Sequence, residues 1–262
     1  MPAVTGLAVT AVKATRLRQV DSVELGPDGV RENRRFYLID DRNQLVNSKR
    51  VGELQQVIAD YSETERRLRL ELPDGQVFDD EVRLGDEVTT KFFSRAATGQ
   101  LVDGPWSAAL SDFVGRRLRL VEAGDTAVDR GSGGAVSLIS RASLERLGDA
   151  RDGDSRAIDV RRFRMLIEID GLEAHAEDHW VGSAVQIGGA TVAFAGHVGR
   201  CVITTRDPDT GEVDLPTLKM LGTYRLDLDT TEPLPFGIYG QVFKPGTVRV
   251  GDAVTPTDSV RR

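Results

Sequence analysis

Short β-branched runs, each closed by a glycine-, proline- or aspartate-bearing turn, recur along this chain and limit what it can become. Val4–Lys13 alternates as a strand and carries Lys13 at its C-terminal end. Val23-Glu24-Leu25 runs into the turn Gly26-Pro27-Asp28-Gly29. The next run, Arg34–Asp40, begins with two arginines. Further strands are expected around Val57-Ile58, Leu68–Leu72 and Val77-Phe78, with turns at Pro73-Asp74-Gly75 and Gly85-Asp86. Short strands at this spacing predict a barrel or sandwich and not a parallel α/β sheet.

Helices are few. Pro105–Val114 places Trp106, Leu110, Phe113 and Val114 on one face, with Asp103 or Gly104 as cap and Gly115 as stop. After a polar, glycine-rich stretch at Gly124–Ser132, Ala135–Ile139 reads as a strand. It leads to a short helix, Arg141–Leu147, with Ser140 as cap and Gly148 as stop. Residues 149–157 read as an exposed loop. Asp159–Ile169 is a basic entry into an apolar strand, Ala184–Phe194 a hairpin closed by Gly188-Gly189, and Leu215–Leu221 a third short helix. Phe236–Val254 gives two strands joined at Pro245-Gly246. The fold class is therefore β-rich α+β, in two parts divided near residue 122: 1–122 and 123–262.

Composition limits the partners. With 41 acidic and 34 basic side chains, the net charge of −7 does not attract nucleic acid, so an anionic ligand needs a local basic cluster. One cysteine excludes an internal disulfide and a cysteine-ligated iron–sulfur cluster within the chain. No stretch approaches the ~20 apolar residues of a membrane span, and the start lacks a signal-peptide core, so a cytoplasmic setting is expected.

The cysteine lies in Gly199-Arg200-Cys201-Val202-Ile203-Thr204-Thr205-Arg206-Asp207-Pro208-Asp209-Thr210-Gly211-Glu212. A strand through Val202 and Ile203 should stop at Pro208, which has no N–H to donate, leaving Cys201 near a strand end or loop. Arg200 beside it favours the thiolate, the reactive and metal-binding form. A lone cysteine is otherwise commonly an inert, buried small hydrophobe. Lys13, Arg35 and Arg164 lie at ends of expected strands, where single cations are ordinarily solvated. His175 and His179 bracket Glu177 and Asp178 without a third metal ligand. His197 lies four residues before Cys201. Turn chemistry accounts for Asp207 and Asp209.

The pattern Arg200-Cys201-x-x-Thr204-Thr205-x-Asp207-Pro208-x-Thr210-Gly211 resembles the cysteine motif of MOSC-domain proteins, including the amidoxime-reducing components. The likeness extends over nearly the whole chain, is densest from residue 163 to 252, and takes in Val12-Lys13, Arg35-Phe36 and Phe163-Arg164. It implies an N-terminal β-barrel followed by a MOSC β-barrel domain with short helices. It also implies a molybdenum–molybdopterin cofactor ligated by Cys201, with Lys13, Arg35, Arg164 and Arg200 holding its phosphate and pterin. Arginine suits that role because its planar fork bonds phosphate bidentately. The implied reaction is reduction of N-hydroxylated or N-oxide compounds. A separate donor (a ferredoxin, flavoprotein or small haem protein) would supply the electrons, because the chain has neither a cluster-building cysteine set nor a dinucleotide fingerprint. Other readings are a sulfur carrier using a Cys201 persulfide and a non-catalytic cofactor carrier. Three positions depart from relatives: Ala14 where a serine often stands, and Met165-Leu166 where Pro-Asn commonly follows Phe-Arg. Asp129–Gly134 offers a glycine-rich loop with backbone N–H groups for an oxyanion.

Overall fold

A computed structural model describes residues 1–92, 95–124, 132–151, 157–226, 228–230 and 232–257. The sequence expectations for 125–131 and 152–156 lie outside the described residues. The largest sheet has eight strands, in the order Val254–Thr257, Ala184–Ile187, Ala190–Gly199, Pro235–Lys244, Val136–Ser140, Ile167–Asp170, Ala3–Val9 and Arg18–Gln19. Its one parallel pair, Val136–Ser140 with Ile167–Asp170, is bridged by the helix Arg141–Asp149, as a parallel crossover requires. The sheet curls until its ends meet: Val4 N donates to Asp252 O at 2.9 Å and Val254 N to Pro2 O at 2.9 Å.

The first half adds a five-stranded antiparallel sheet, Leu45–Val46, Phe36–Ile39, Arg119–Ala123, Arg95–Asp103 and Arg83–Phe92, and a three-stranded one over residues 58–81. The end strands of the five-stranded sheet approach each other, Lys91 N donating to Asn43 O at 3.2 Å beside a Gln44–Lys91 bridge, whereas the three-stranded sheet is open among the described residues. The chain does not divide cleanly in sequence. Ala3–Val9 pairs with Ile167–Asp170, and Ser22–Leu25 pairs with Gly246–Arg249, so these two strands are built into the second half, while Val12 and Arg16 between them bridge Phe36 and Ile58 of the first.

Burial explains the layers. The helix Trp106–Val114 turns Trp106 and Leu110 onto Phe36, Leu38, Leu54, Leu68 and Leu120, and Trp106 Nε1 donates to Leu68 O at 3.0 Å. Each such side chain contributes about 1.5–3 kcal/mol when fully buried. A second core joins Leu7, Ile167, Ile169, Val185, Val192 and Ile238 inside the curled sheet. A third packs Leu144 and Leu147 on Phe163, Met165 and Phe236. Ser140 caps its helix, its hydroxyl accepting from Ser143 N at 3.2 Å, and the fully buried Glu177 accepts from both serine hydroxyls.

Three local expectations are corrected. The first strand ends at Val9, so Lys13 lies in the turn beyond it. The hairpin strand ends at Gly199, and Val202–Thr205 is a single 3-10 turn. Thr204 Oγ1 donates to Cys201 O at 3.1 Å and Thr205 Oγ1 to Val202 O at 2.7 Å, so the threonine hydroxyls tighten the local backbone in place of a ladder. The C-terminal stretch forms three strands, since Val254–Thr257 returns to pair with Ala184–Ile187.

Candidate functional site

A cavity of about 670 Å3 gathers Lys13, Arg34, Lys49, Arg164, Arg200 and Cys201 from stretches distant in sequence. Backbone pairing brings the first two together. Val12 bridges Phe36 in parallel, Lys13 N donates to Phe36 O at 2.7 Å, and Arg34 N donates to Thr10 O at 2.6 Å. Side chains then tie in the third stretch. Arg34 Nη2 donates to Arg164 O at 2.7 Å, and Arg164 Nη2 to Thr15 O at 2.7 Å. Arg164 has the left-handed φ of 54°, which ends the 3-10 turn Val160–Phe163 and aims the side chain at the cavity.

The charges strain one another. Burial, then Arg34, Arg164 and Lys49, pull the Lys13 amine well below the usual lysine range, and Cys201 acts in the opposite sense. Burial lowers Arg34 to about 10. Burial and then Arg34 lower Arg164 to about 9. Like charges held this close in a half-buried wall favour an anion in the space between them. Ser48 adds a hydroxyl that is fully buried and has no hydrogen-bond partner, on the same cavity lining. Leaving such a group unsatisfied costs about 1–3 kcal/mol, which a ligand oxygen would offset.

Arg35 does not join this group. Its Nε donates to Glu122 Oε1 at 2.9 Å, and Arg66 Nη2 reaches Glu122 Oε2 at 3.3 Å. Glu122 is only 4% exposed and neutralises both arginines in a second hollow of about 830 Å3, which shares Arg34 with the thiol cavity. The physical reason is the local backbone: Arg34 sits in a turn with a left-handed φ of 55° and the strand begins only at Phe36, so the two neighbouring side chains do not share one direction. Arg34 therefore takes the place expected for its neighbour. Arg34, Ser48, Lys49, Glu232 and Tyr239 are the lining residues that sequence reasoning missed. The Arg34-Arg35 pair carried an ambiguous signal, and the others carried none.

Arg200 lines the cavity but acts as a brace. Its guanidinium donates to Phe163 O at 2.9 Å (Nη1) and to Phe236 O at 2.8 Å (Nε), and it stacks 5.2 Å from the Phe163 ring. The half-buried Cys201 follows directly, so the residue bearing the thiol is anchored to two other stretches. The motif's aspartates are structural. Arg161 pairs with Asp209 at 2.8 Å and with Asp159 at 2.6 Å, which holds the Asp209 carboxyl below the usual carboxylate range. Burial pushes Asp207 up, but the N–H groups of Thr210 and Asp209 outweigh it and keep it low. Gly211 lies against Gly52 so closely that a Cβ on either would collide with the other's carbonyl. Around this contact Gln55 Nε2 donates to Asp207 O and Arg16 Nη2 to Asp209 O, so the turn docks the first half onto the second.

The histidines lie elsewhere. His175 packs its ring 5.6 Å from Tyr224 and 5.8 Å from Phe236, His179 is exposed, and His197 Nε2 faces Asp178 at 3.7 Å. No group of three or more His, Cys, Asp or Glu among the described residues could by itself hold a metal ion. Nor is any described helix long and apolar enough to cross a membrane.

Fold and site together define a β-rich α+β protein whose only thiol opens on a cationic cavity. The family comparison gives that class its name: residues 125–255 match the MOSC domain, and the chain belongs to the MOSC-domain family. It is 40% identical over 124 residues to mitochondrial amidoxime-reducing component 1 of Mus musculus, covering 45% of this chain and 35% of that protein. It is 39% identical over 127 residues to mitochondrial amidoxime reducing component 2 of Homo sapiens, with the same two shares of 45% and 35%. The matched part thus spans about a third of the length of these relatives. The YUAD protein of Bacillus subtilis covers 97% of this chain and 94% of its own at 12% identity, with a TM-score of 0.45, a likeness that adds nothing to the assignment.

Proposed function

We propose that this chain holds a molybdenum–molybdopterin cofactor through Cys201 and reduces small N-hydroxylated or N-oxide compounds with electrons from a separate redox protein. The observation that supports this reading is the meeting of the single thiol with five cationic side chains on one cavity. The residues fit the group: a phosphate-bearing pterin needs cations and hydrogen-bond donors, its metal needs a soft ligand, and the cavity volume falls within the ~300–1,000 Å3 usual for ligand sites. Bound there, the cofactor would supply a two-electron centre able to take oxygen from the substrate. Lys13, Arg34, Lys49 and Arg164 receive the phosphate, with Ser48 as a hydroxyl donor. Arg200 positions Cys201 by tying down Phe163 O and Phe236 O.

The donor belongs to the class of ferredoxins, flavoproteins or small haem proteins. We place the reaction in a reducing, cytoplasm-like compartment, which keeps Cys201 a thiol. We keep a seam near residue 122 and a barrel-like first half, with strands Ala3–Val9 and Ser22–Leu25 counted in the second unit because they pair there. The test is elemental analysis of protein purified from a molybdopterin-competent host, with turnover of an N-hydroxylated substrate under an artificial low-potential reductant. Stoichiometric molybdenum and turnover, both lost in Cys201→Ser, are expected. A Cys201 persulfide without metal would replace this reading with the sulfur carrier, and tight cofactor binding without turnover with the cofactor carrier.

A further inference from the structure

We propose that Asp178 and Arg225, neither of which lines the cavity, are positioning residues for Cys201, setting where its thiol stands against the cationic wall. The inference rests on the reading above, in which Cys201 holds the cofactor. Backbone pairing thins out where the thiol is carried. The strand Ala190–Gly199 loses register between His197 and Gly199, and the last residue opposite it is Pro235, which has no N–H to donate. The facing segment is also strained. Leu234 holds a left-handed φ of 46°, which a non-glycine residue keeps only where its surroundings fix it.

Side chains do the fixing. Arg200 N donates to Pro233 O at 3.2 Å, and the Arg200 guanidinium takes Phe236 O at 2.8 Å. Arg225 Nε takes the carbonyl that lies between them in sequence, Pro235 O, at 2.9 Å. Its own direction is set by Asp178, whose Oδ2 accepts from Arg225 Nη2 at 2.7 Å. The other oxygen, Oδ1, is buried without a hydrogen bond and faces His197 Nε2 at 3.7 Å. One carboxylate therefore reaches both strands, one through Arg225 and the other through His197. The Arg225 side chain is only 5% exposed. A buried ion pair adds little stability over apolar residues of the same volume, so its use here is geometric. Without the guanidinium, Pro235 O is released and the bend that presents Phe236 O to Arg200 relaxes. Arg200 then loosens its hold on the next residue, and the thiol swings away from Lys13, Arg34 and Arg164.

The test uses cofactor-free protein and two alkylating probes, iodoacetate and iodoacetamide, which differ in charge and attack the same single thiol. Their rate ratio reads the field of the cationic wall at Cys201. Arg225→Gln should lower the iodoacetate-to-iodoacetamide ratio by about fivefold or more, Asp178→Asn should lower it less, and Arg225→Lys should restore part of it. Pyrophosphate affinity should stay within about twofold in all three, because the cations of the wall are untouched. Trp106→Phe, which loses the bond to Leu68 O in the other core, controls for general destabilisation and should leave the ratio unchanged. In molybdenum-loaded protein, Arg225→Gln should cut kcat for benzamidoxime by at least about tenfold with KM within about twofold, since a small misplacement of a reacting group costs rate more than binding. A ratio unchanged in Arg225→Gln and Asp178→Asn, or lowered as much in Trp106→Phe, overturns the proposal. Where Arg225→Gln does not fold, the ratio in Asp178→Asn decides alone. A lowered ratio with no turnover by the wild type keeps the positioning and removes the reductase reading.

Discussion

Arg34 and Arg35 are neighbours with opposite employment, and the contrast can be measured. Arg164→Gln removes a cation from the cavity wall and should weaken pyrophosphate binding by roughly 10- to 100-fold, the equivalent of one charge-assisted bond. Arg35→Gln should leave that affinity within about twofold, because Arg35 is spent on Glu122. It should instead lower unfolding free energy by about 1–3 kcal/mol in urea, since the buried Glu122 keeps only its longer bond to Arg66. Ser48→Ala makes a third case. Its hydroxyl has no protein partner, so stability should hold or rise slightly while pyrophosphate binds about fivefold more weakly, one neutral hydrogen bond's worth. Equal anion affinities in all three variants would remove the cavity as an anion site.

At the scale of elements, the 3-10 turn after Cys201 and the aspartate turn behind it do separate jobs. The first closes on threonine hydroxyls and fixes the thiol. The second is a docking block, held by Arg161 and pressed against Gly52. Gly52→Ala forces a methyl into the Gly211 carbonyl, and the cost of such overpacking is about 1–3 kcal/mol, readable as a lower urea midpoint. Anion affinity should fall with it, because Lys49 is carried on the same segment and Arg206 Nη2 holds its carbonyl at 3.2 Å. A destabilised variant that keeps full anion affinity would show that the docking contact and the cavity are independent.

For the molecule as a whole, His175 ties stability to pH. Burial first, then Arg225 and Arg146, lower its pKa to about 4, against a smaller opposing effect of Asp178. Neither ring nitrogen has a hydrogen-bond partner. A histidine depressed from about 6.5 takes up its proton more readily in the unfolded chain. Its contribution to stability is thus intact above about 6.5 and lost as pH falls toward 4, at most about 3 kcal/mol for a shift of this size. His175→Phe, which keeps a ring against Tyr224 and Phe236, should flatten the melting temperature across that window. An unchanged slope would place the acid sensitivity elsewhere.

Local chemistry was enough for the sequence to determine most of the elements and to single out its one cysteine. Helix Trp106–Val114, the Ser140 cap, the Gly188-Gly189 hairpin and the thiol at Cys201 all follow from periodicity, turn residues and one motif, which act over a few residues. The cavity does not. Lys49, Ser48 and Glu232 have no sequence signal, because what makes them a site is the curling of one sheet and the parallel bridge of Val12 to Phe36. Arg34 displaced Arg35 because Arg34 lies in a left-handed turn ahead of the strand that starts at Phe36, a conformation with no sequence signal at an arginine. Ala3–Val9 and Ser22–Leu25 crossed into the second half because long-range backbone pairing, not composition, decides which sheet a short strand completes.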